Sequence, residues 1–158
     1  AADFKRTTHT WALFAEAQRE GKPPSLVAAV HVNPMHWDRF ASSKIGELPD
    51  HMRSTARIRK RQAEELMREV AKVERSMPVL LCGDFNGPPR GRVYGSLTSE
   101  FKDAYDDSAI GPGWTIPSSL PLMRIDYVFV RPTSTVLRSR VLDDAGSDHR
   151  ALLVEVAP

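Results

Sequence analysis

Residues 79–86 read Val79-Leu80-Leu81-Cys82-Gly83-Asp84-Phe85-Asn86. A short apolar run stops at a glycine, and an aspartate and an asparagine follow two residues apart. Such a run between turn formers has the length and flanks of a buried strand. Gly83 lets the chain bend at the strand's end, and Gly87-Pro88-Pro89 blocks any immediate return to regular structure. Asp84 and Asn86 are then delivered to the rim of a sheet, where open α/β sheets keep their ligand sites. Taken alone, the same residues also fit a plain polar turn, because Asp and Asn are common turn formers.

Upstream of this strand the pattern predicts a helix over residues 54–74. Ile58, Gln62, Leu66, Val70 and Val73 share a stripe with Ala63 and Met67 beside it, while Arg59, Lys60, Glu64, Arg68 and Lys72 take the wet side. Glu64 and Arg68 are i,i+4 partners that support the helix; Arg68 and Lys72 repel. Residues 25–32 read as a strand closed by Asn33-Pro34, so strand, helix and strand follow one another, the order of a helix-covered sheet. Residues 10–18 fit a strand and a short helix almost equally; as a strand they form a hairpin with 25–32 across the Gly21-Lys22-Pro23-Pro24 turn. Residues 35–49 read as a loop carrying His36, Trp37, Arg39 and Lys44.

Downstream, residues 93–97 suit one or two helical turns and 101–105 a small packed segment. An irregular loop spans 106–122, long enough to be functional or mobile. Strands are expected over 125–130, 135–142 and 151–156, with a turn at 143–149 joining the last two. No repeat, linker or low-complexity tract appears, so residues 1–158 form one domain or part of one.

Composition bounds the class. Hydrophobic residues at 41% and charged residues at 27% are those of a globular chain and not of a disordered one. Lys and Arg number 22 against 20 Asp and Glu, and a net charge of +2 does not by itself argue for nucleic acid, although basic residues gather between 53 and 61. The single cysteine, Cys82, excludes an internal disulfide and a Cys-based zinc site, and in its apolar strand it packs as a small hydrophobe. No apolar run approaches the length of a membrane span.

Asp126 stands out because it interrupts the β-forming run Ile125-Asp126-Tyr127-Val128-Phe129-Val130. A carboxylate there needs a partner, and Arg124, His149 or a metal would serve, unless the strand alternates and Asp126 faces water. Ser147-Asp148-His149 stands at the mouth of the last strand. Adjacent Asp and His side chains point to opposite sides of a strand, so each must reach a different partner. An imidazole oriented by a carboxylate is a proton carrier near neutral pH. Ser147 near His149 would suit a hydrolase nucleophile, but no Gly-x-Ser-x-Gly elbow is present. Carboxylates with Asn and His, and no thiols, suit a hard cation such as Mg²⁺ or Mn²⁺, which polarises phosphoryl oxygens and stabilises a departing alkoxide.

The motifs together resemble the endonuclease/exonuclease/phosphatase superfamily, the DNase I-like fold. Four blocks stand in the family's order: Val30-His31-Val32-Asn33, Gly83-Asp84-Phe85-Asn86, Arg124-Ile125-Asp126-Tyr127 and Gly146-Ser147-Asp148-His149. Arg61-Gln62 and Trp114-Thr115-Ile116-Pro117 are also similar, and the likeness runs from about Trp11 to Val156. The resemblance implies a four-layer α-β-β-α sandwich and a divalent-metal-dependent hydrolase of phosphate esters. It also implies roles. Asp84 would deprotonate the attacking water, with Asn86 holding that water and a phosphate oxygen. His149, steadied by Asp126, and His31 would face the phosphate, and Asp148 would be a metal ligand.

The family's metal-binding Glu and early-strand Asn have no counterpart before His31; Glu16 and Glu20 sit in the wrong context. The expectation is therefore the C-terminal part of such a domain, lacking its N-terminal half, with apolar sheet surface left bare. A phosphodiesterase or nuclease is favoured, with Arg90, Arg92 and Lys44 along a phosphate path and nucleic acid preferred to phospholipid. Trp114 would stack on a base or simply pack. The alternative is a non-catalytic remnant that binds nucleic acid or protein through the basic 53–61 stretch. The complete domain is expected to be a monomer. The compartment stays open, with the cytoplasm favoured.

Overall fold

The computed structural model describes residues 11–18, 20–34, 48–142 and 146–157. The 35–47 part of the expected loop, with His36, Trp37, Arg39 and Lys44, and residues 143–145 of the expected turn lie outside the described residues.

Val79–Asp84 is the central strand, β3, of a five-stranded sheet. The other strands are β1 (Ala12–Ala17), β2 (Ser25–His31), β4 (Lys102–Asp103) and β5 (Asp126–Val130), in the order β1-β2-β3-β5-β4. Residues 12–17 thus resolve as a strand, antiparallel to β2. β2 and β3 run parallel and β3 and β5 antiparallel. A parallel pair needs a crossover, and helix α1 (Leu48–Ala71) lies between these two strands in the chain. Two short helices, α2 (Arg92–Thr98) and α3 (Ala104–Ser108), follow β3. β6 (Thr135–Val141) and β7 (Leu152–Ala157) form a separate antiparallel pair, with an irregularity between Val136 and Arg138.

Side chains alternate across a strand, which sorts the sheet into two faces. Ala28, Val30 and Val32 of β2 and its extension, Val79, Leu81 and Phe85 around β3, and Tyr127 and Phe129 of β5 form the core with Leu66 and Val70 of α1. Phe85 meets Phe129 edge to face at 5.0 Å, an arrangement worth about 0.5–1.5 kcal/mol beyond area burial. The opposite face carries Val27, Ala29, Leu80, Cys82 and Val128. β7 packs against β5, and Leu152 of β7 lines a cleft with Cys82 and Val128 of that face, so helix, sheet and sheet stack in layers.

Two sequence expectations need correction. The helix begins at Leu48 and ends at Ala71, and Ile58 is 46% exposed. The buried stripe is Thr55, Gln62, Ala63, Leu66 and Val70; Ile58 falls on its shoulder, while Gln62 stays inside because its Oε1 accepts the Asn33 N–H at 2.9 Å. Glu64 pairs with Lys60 at 3.4 Å, and Arg68 instead places its Nε on the Glu64 carbonyl at 3.3 Å. Part of the expected 106–122 loop is also ordered structure, since α3 runs to Ser108 and Ile116 bridges Met123. Leu13, Leu137 and Leu153 remain exposed on their strands. Among the described residues no helix is long and apolar enough to cross a membrane.

Candidate active site

Register builds the site. His31 of β2 is the cross-strand partner of Asp84 on β3, and Asp84 is the partner of Asp126 on β5. Cross-strand partners project to the same face, so the three side chains form a row at one edge of the sheet, on the face away from α1. His31 Nε2 lies 3.8 Å from Asp84 Oδ2 and its side chain is largely exposed.

The chain turns immediately after Asp84, and Asn86 takes φ 48°, a left-handed conformation that Asn tolerates better than most residues. That turn is internally bonded. Asn86 N–H donates to Asp84 Oδ1 at 2.8 Å, and its Nδ2 donates to Asp84 Oδ2 at 2.9 Å and to the Val32 carbonyl at 2.8 Å. Arg59, from the buried side of α1, donates to the Asn86 carbonyl at 2.6 Å. Gly83 is required for a different reason than a bend at the strand's end: a Cβ there would lie 2.0 Å from the Val30 carbonyl oxygen, at φ +135°.

His149 comes to this row from the other sheet's side, and its Nδ1 meets Asp126 Oδ2 at 2.8 Å. Of the two side chains open to Asp126, histidine takes the place. Arg124 is engaged elsewhere, buried against Asp103 at 2.8 Å and Asp106 at 2.6 Å and stacked on the rings of Tyr105 and Tyr127. Asp126 is half-buried, not turned to water. Burial pushes the Asp84 carboxyl above the usual carboxylate range, against the pull of the Asn86 N–H; the Asp126 charge adds to the rise and both histidines oppose it. Burial works against protonation of His149, but the hydrogen bond and charge of Asp126, helped by Asp84 and Asp148, outweigh it and raise its pKa.

Asp84, Asp126 and His149 each offer a ligand atom within 4.8 Å of the others, the one such group of His, Cys, Asp and Glu among the described residues. Two carboxylates and an imidazole fit a hard divalent cation. Asp148 is exposed and lies outside that group, its Oδ1 accepting from Ser147 Oγ at 3.3 Å. A cleft of about 340 Å³ opens beside the pair, lined by Cys82, Gly83, Asp126, Val128, His149 and Leu152.

Arg90 and Arg92 are exposed. Arg92 lines a separate cavity of about 180 Å³ with Arg59, Lys60 and Tyr94, between α1 and α2. Trp114 is 42% exposed. Sequence reasoning missed Arg59, counted only among the basic residues of the wet face, and it missed Ser118. Thr115 it quoted only within the Trp114-Thr115-Ile116-Pro117 likeness, with no role. The bonds of Thr115 and Ser118 run to residues on both sides of the His149–Asp126 contact. Their signal is weak: a polar residue inside an irregular loop.

Residues 3–149 match the Endonuclease/Exonuclease/phosphatase family. Among solved structures, a conserved protein of unknown function from Enterococcus faecalis V583 is 26% identical, with TM-score 0.66, over 92% of this chain and 55% of its own. An endonuclease/exonuclease/phosphatase family protein from Bacteroides thetaiotaomicron is 20% identical, with TM-score 0.71, over 92% and 54%. A mannosyl-6-phosphatase from Bacteroides thetaiotaomicron VPI-5482 is 21% identical, with TM-score 0.67, over 92% and 56%. The chain thus spans about half the length of these structures. No curated protein matches it.

Proposed function

The chain belongs to the endonuclease/exonuclease/phosphatase family, and from that premise we propose that it is the site-bearing part of a divalent-metal-dependent phosphate-ester hydrolase, with phosphodiesters such as nucleic acid as the favoured substrate. The observation that carries this reading is the convergence of Asp84, Asp126 and His149, with His149 and Asp126 in contact at 2.8 Å.

In the proposed reaction Asp84 orients a water and takes its proton. Its raised pKa suits a base. Asn86 fixes both Asp84 oxygens, and with its Nδ2 spent on Asp84 and Val32 it offers the water its side-chain Oδ1; contact with a phosphate oxygen would require it to release one of those bonds. The water oxygen bonds to phosphorus, the ester P–O bond breaks, and the leaving oxygen takes a proton from solvent. His149, held by Asp126, donates to a phosphoryl oxygen, with His31 beside it. Asp148, with Asp126 beside His149, supplies the carboxylates that would hold Mg²⁺ or Mn²⁺, which leaves Asp84 to act as the base. When bound, such a cation polarises the phosphoryl group and steadies the leaving alkoxide. Arg90 and Arg92 are assigned to the substrate's phosphates.

The test is nicking of supercoiled plasmid, with parallel assays on a soluble phosphodiester, a phosphomonoester and a phosphoinositide. Turnover in Mg²⁺ or Mn²⁺ that disappears with EDTA, and in Asp148→Ala and His149→Ala, is the expected result. Turnover retained in both variants would refute the roles, and no turnover on any substrate would refute the enzyme reading for this chain. Salt-sensitive DNA binding without metal dependence would instead favour a binding role through the basic residues of α1.

A further inference from the structure

His149 and Asp126 meet at 2.8 Å although they belong to separately built pieces of the molecule. Asp126 opens β5 in the five-stranded sheet, whereas residues 146–150 lead into β7 of the two-stranded sheet. Among the described residues no strand ladder joins the two sheets, so beyond the packing of β7 on β5 this contact depends on what else keeps the pieces in step.

Residues 115–123 touch both. They fold back on themselves through the Ile116–Met123 bridge, with Thr115 N and Ile116 N donating to the Met123 carbonyl at 2.7 and 3.0 Å. On the Asp126 side, the Thr115 Oγ1 accepts the backbone N–H groups of Ile125 at 3.3 Å and Asp126 at 3.4 Å. On the His149 side, the Thr115 carbonyl accepts the Arg150 N–H at 2.7 Å. Ser118 then grips the same segment with every polar group it has. Its N–H donates to the Asp148 carbonyl at 2.8 Å, its Oγ donates to the Ser147 carbonyl at 2.6 Å, and its carbonyl accepts from Arg150 Nε at 2.8 Å.

Burying a hydroxyl is costly unless it is hydrogen-bonded. Thr115 is fully buried and Ser118 is 7% exposed, and both spend their hydroxyls on bonds that run between chain segments. The backbone on either side of His149 is pinned to the same small hairpin that pins the backbone of Asp126. A displacement of about 1 Å at a reacting group can cost on the order of a hundredfold in rate, so rigidity here has a chemical consequence.

We infer that Thr115 and Ser118 are positioning residues of the site, holding the His149 imidazole on Asp126 without themselves touching substrate. The kinetic part of this inference rests on the hydrolase reading; the geometric part does not.

The experiment compares Thr115→Val, Thr115→Ser and Ser118→Ala with the unaltered chain. The first readout is the nitrogen-15 and proton NMR signature of the His149 ring, assigned by its loss in His149→Gln. The unaltered chain and Thr115→Ser should show a ring whose Nδ1 proton is held in the hydrogen bond to Asp126. In Thr115→Val and Ser118→Ala that signature should broaden or vanish while thermal unfolding stays cooperative. The second readout is turnover: kcat should fall on the order of tenfold to a hundredfold with KM within about twofold, and Thr115→Ser should restore it.

A normal ring signature in both disruptive variants overturns the inference, as does its absence from the unaltered chain. If one disruptive variant fails to fold, the other decides; if both fail, the hairpin is structural and the inference falls. If no substrate is turned over by the unaltered chain, the hydrolase reading fails alone, and the ring signature still judges the positioning.

Discussion

Asp84 sits where a parallel and an antiparallel neighbour meet, with His31 in register on one side and Asp126 on the other. The residue before it makes that spacing possible. A methyl at Gly83 would run into the Val30 carbonyl oxygen at 2.0 Å, and backbone cannot step aside within a sheet. Gly83→Ala should therefore cost at least about 3 kcal/mol, read as loss of a cooperative urea transition. Gly95, inside α2 with nothing within 4 Å of an added Cβ, is the control; Gly95→Ala should stabilise by roughly 0.5–1 kcal/mol. Equal effects at the two positions would refute the close-approach account. Cys82, next along, has its thiol pKa pushed up by burial and its Sγ 3.4 Å from the Ala28 carbonyl. A raised pKa means less thiolate at a given pH, so labelling by a disulfide reagent at pH 8 should be slower than for an unfolded cysteine. The rate should climb as the pH passes the raised pKa, and urea should restore the ordinary rate. Identical rates for folded and unfolded chain would show that the thiol is not shielded.

At the scale of elements, α1 both covers the core face and reaches the site. Leu66 is buried among Ala28, Val30, Leu81 and Phe129, whereas Ile58 is 46% exposed. Leu66→Ala should lose about 2–5 kcal/mol, and Ile58→Ala no more than about 0.5 kcal/mol, both from urea midpoints at constant slope. A large loss at Ile58 would restore the stripe that periodicity suggested. That stripe shows where pattern reading stops. Apolar spacing finds the helix and its wet face, but it counts Ile58 as buried and Arg59 as solvated. Arg59 lies toward the sheet because a guanidinium at the edge of the buried stripe can serve a carbonyl, and the left-handed turn at Asn86 presents one. No single-chain pattern records a partner 27 residues away. The hairpin at residues 115–123 is the same case: its Thr115 and Ser118 look like loop residues until residues 125, 126 and 147–150 are brought beside them.

For the whole molecule, the two sheets matter because the candidate site lies between their ends. If Asp126 and Asp148 take a divalent cation, binding must stabilise the folded chain. Saturation at 100 times Kd corresponds to about 2.7 kcal/mol. Added Mg²⁺ or Mn²⁺ should raise the melting midpoint, EDTA should reverse it, and Asp126→Asn should blunt it; a midpoint indifferent to metal would sink the metal claim whatever the assays show. The sequence alone was enough to place most strands and helices within a few residues, to mark Asp84, Asn86, Asp126 and His149 as polar groups at strand ends, and to indicate the family through four short motifs. Those features are local: apolar runs, turn formers and motif spacing act within a few residues. Tertiary structure alone decided which face of the sheet carries the row of His31, Asp84 and Asp126. The run from Val79 to Cys82 is apolar on both faces, and only the pairing register breaks that tie. It also decided that Asp126 takes His149 and not Arg124, since the buried Arg124 finds carboxylates at Asp103, buried beside it, and at Asp106. Partner choice among several suitable groups is settled by distance, and distance between remote residues exists only once the sheets have formed.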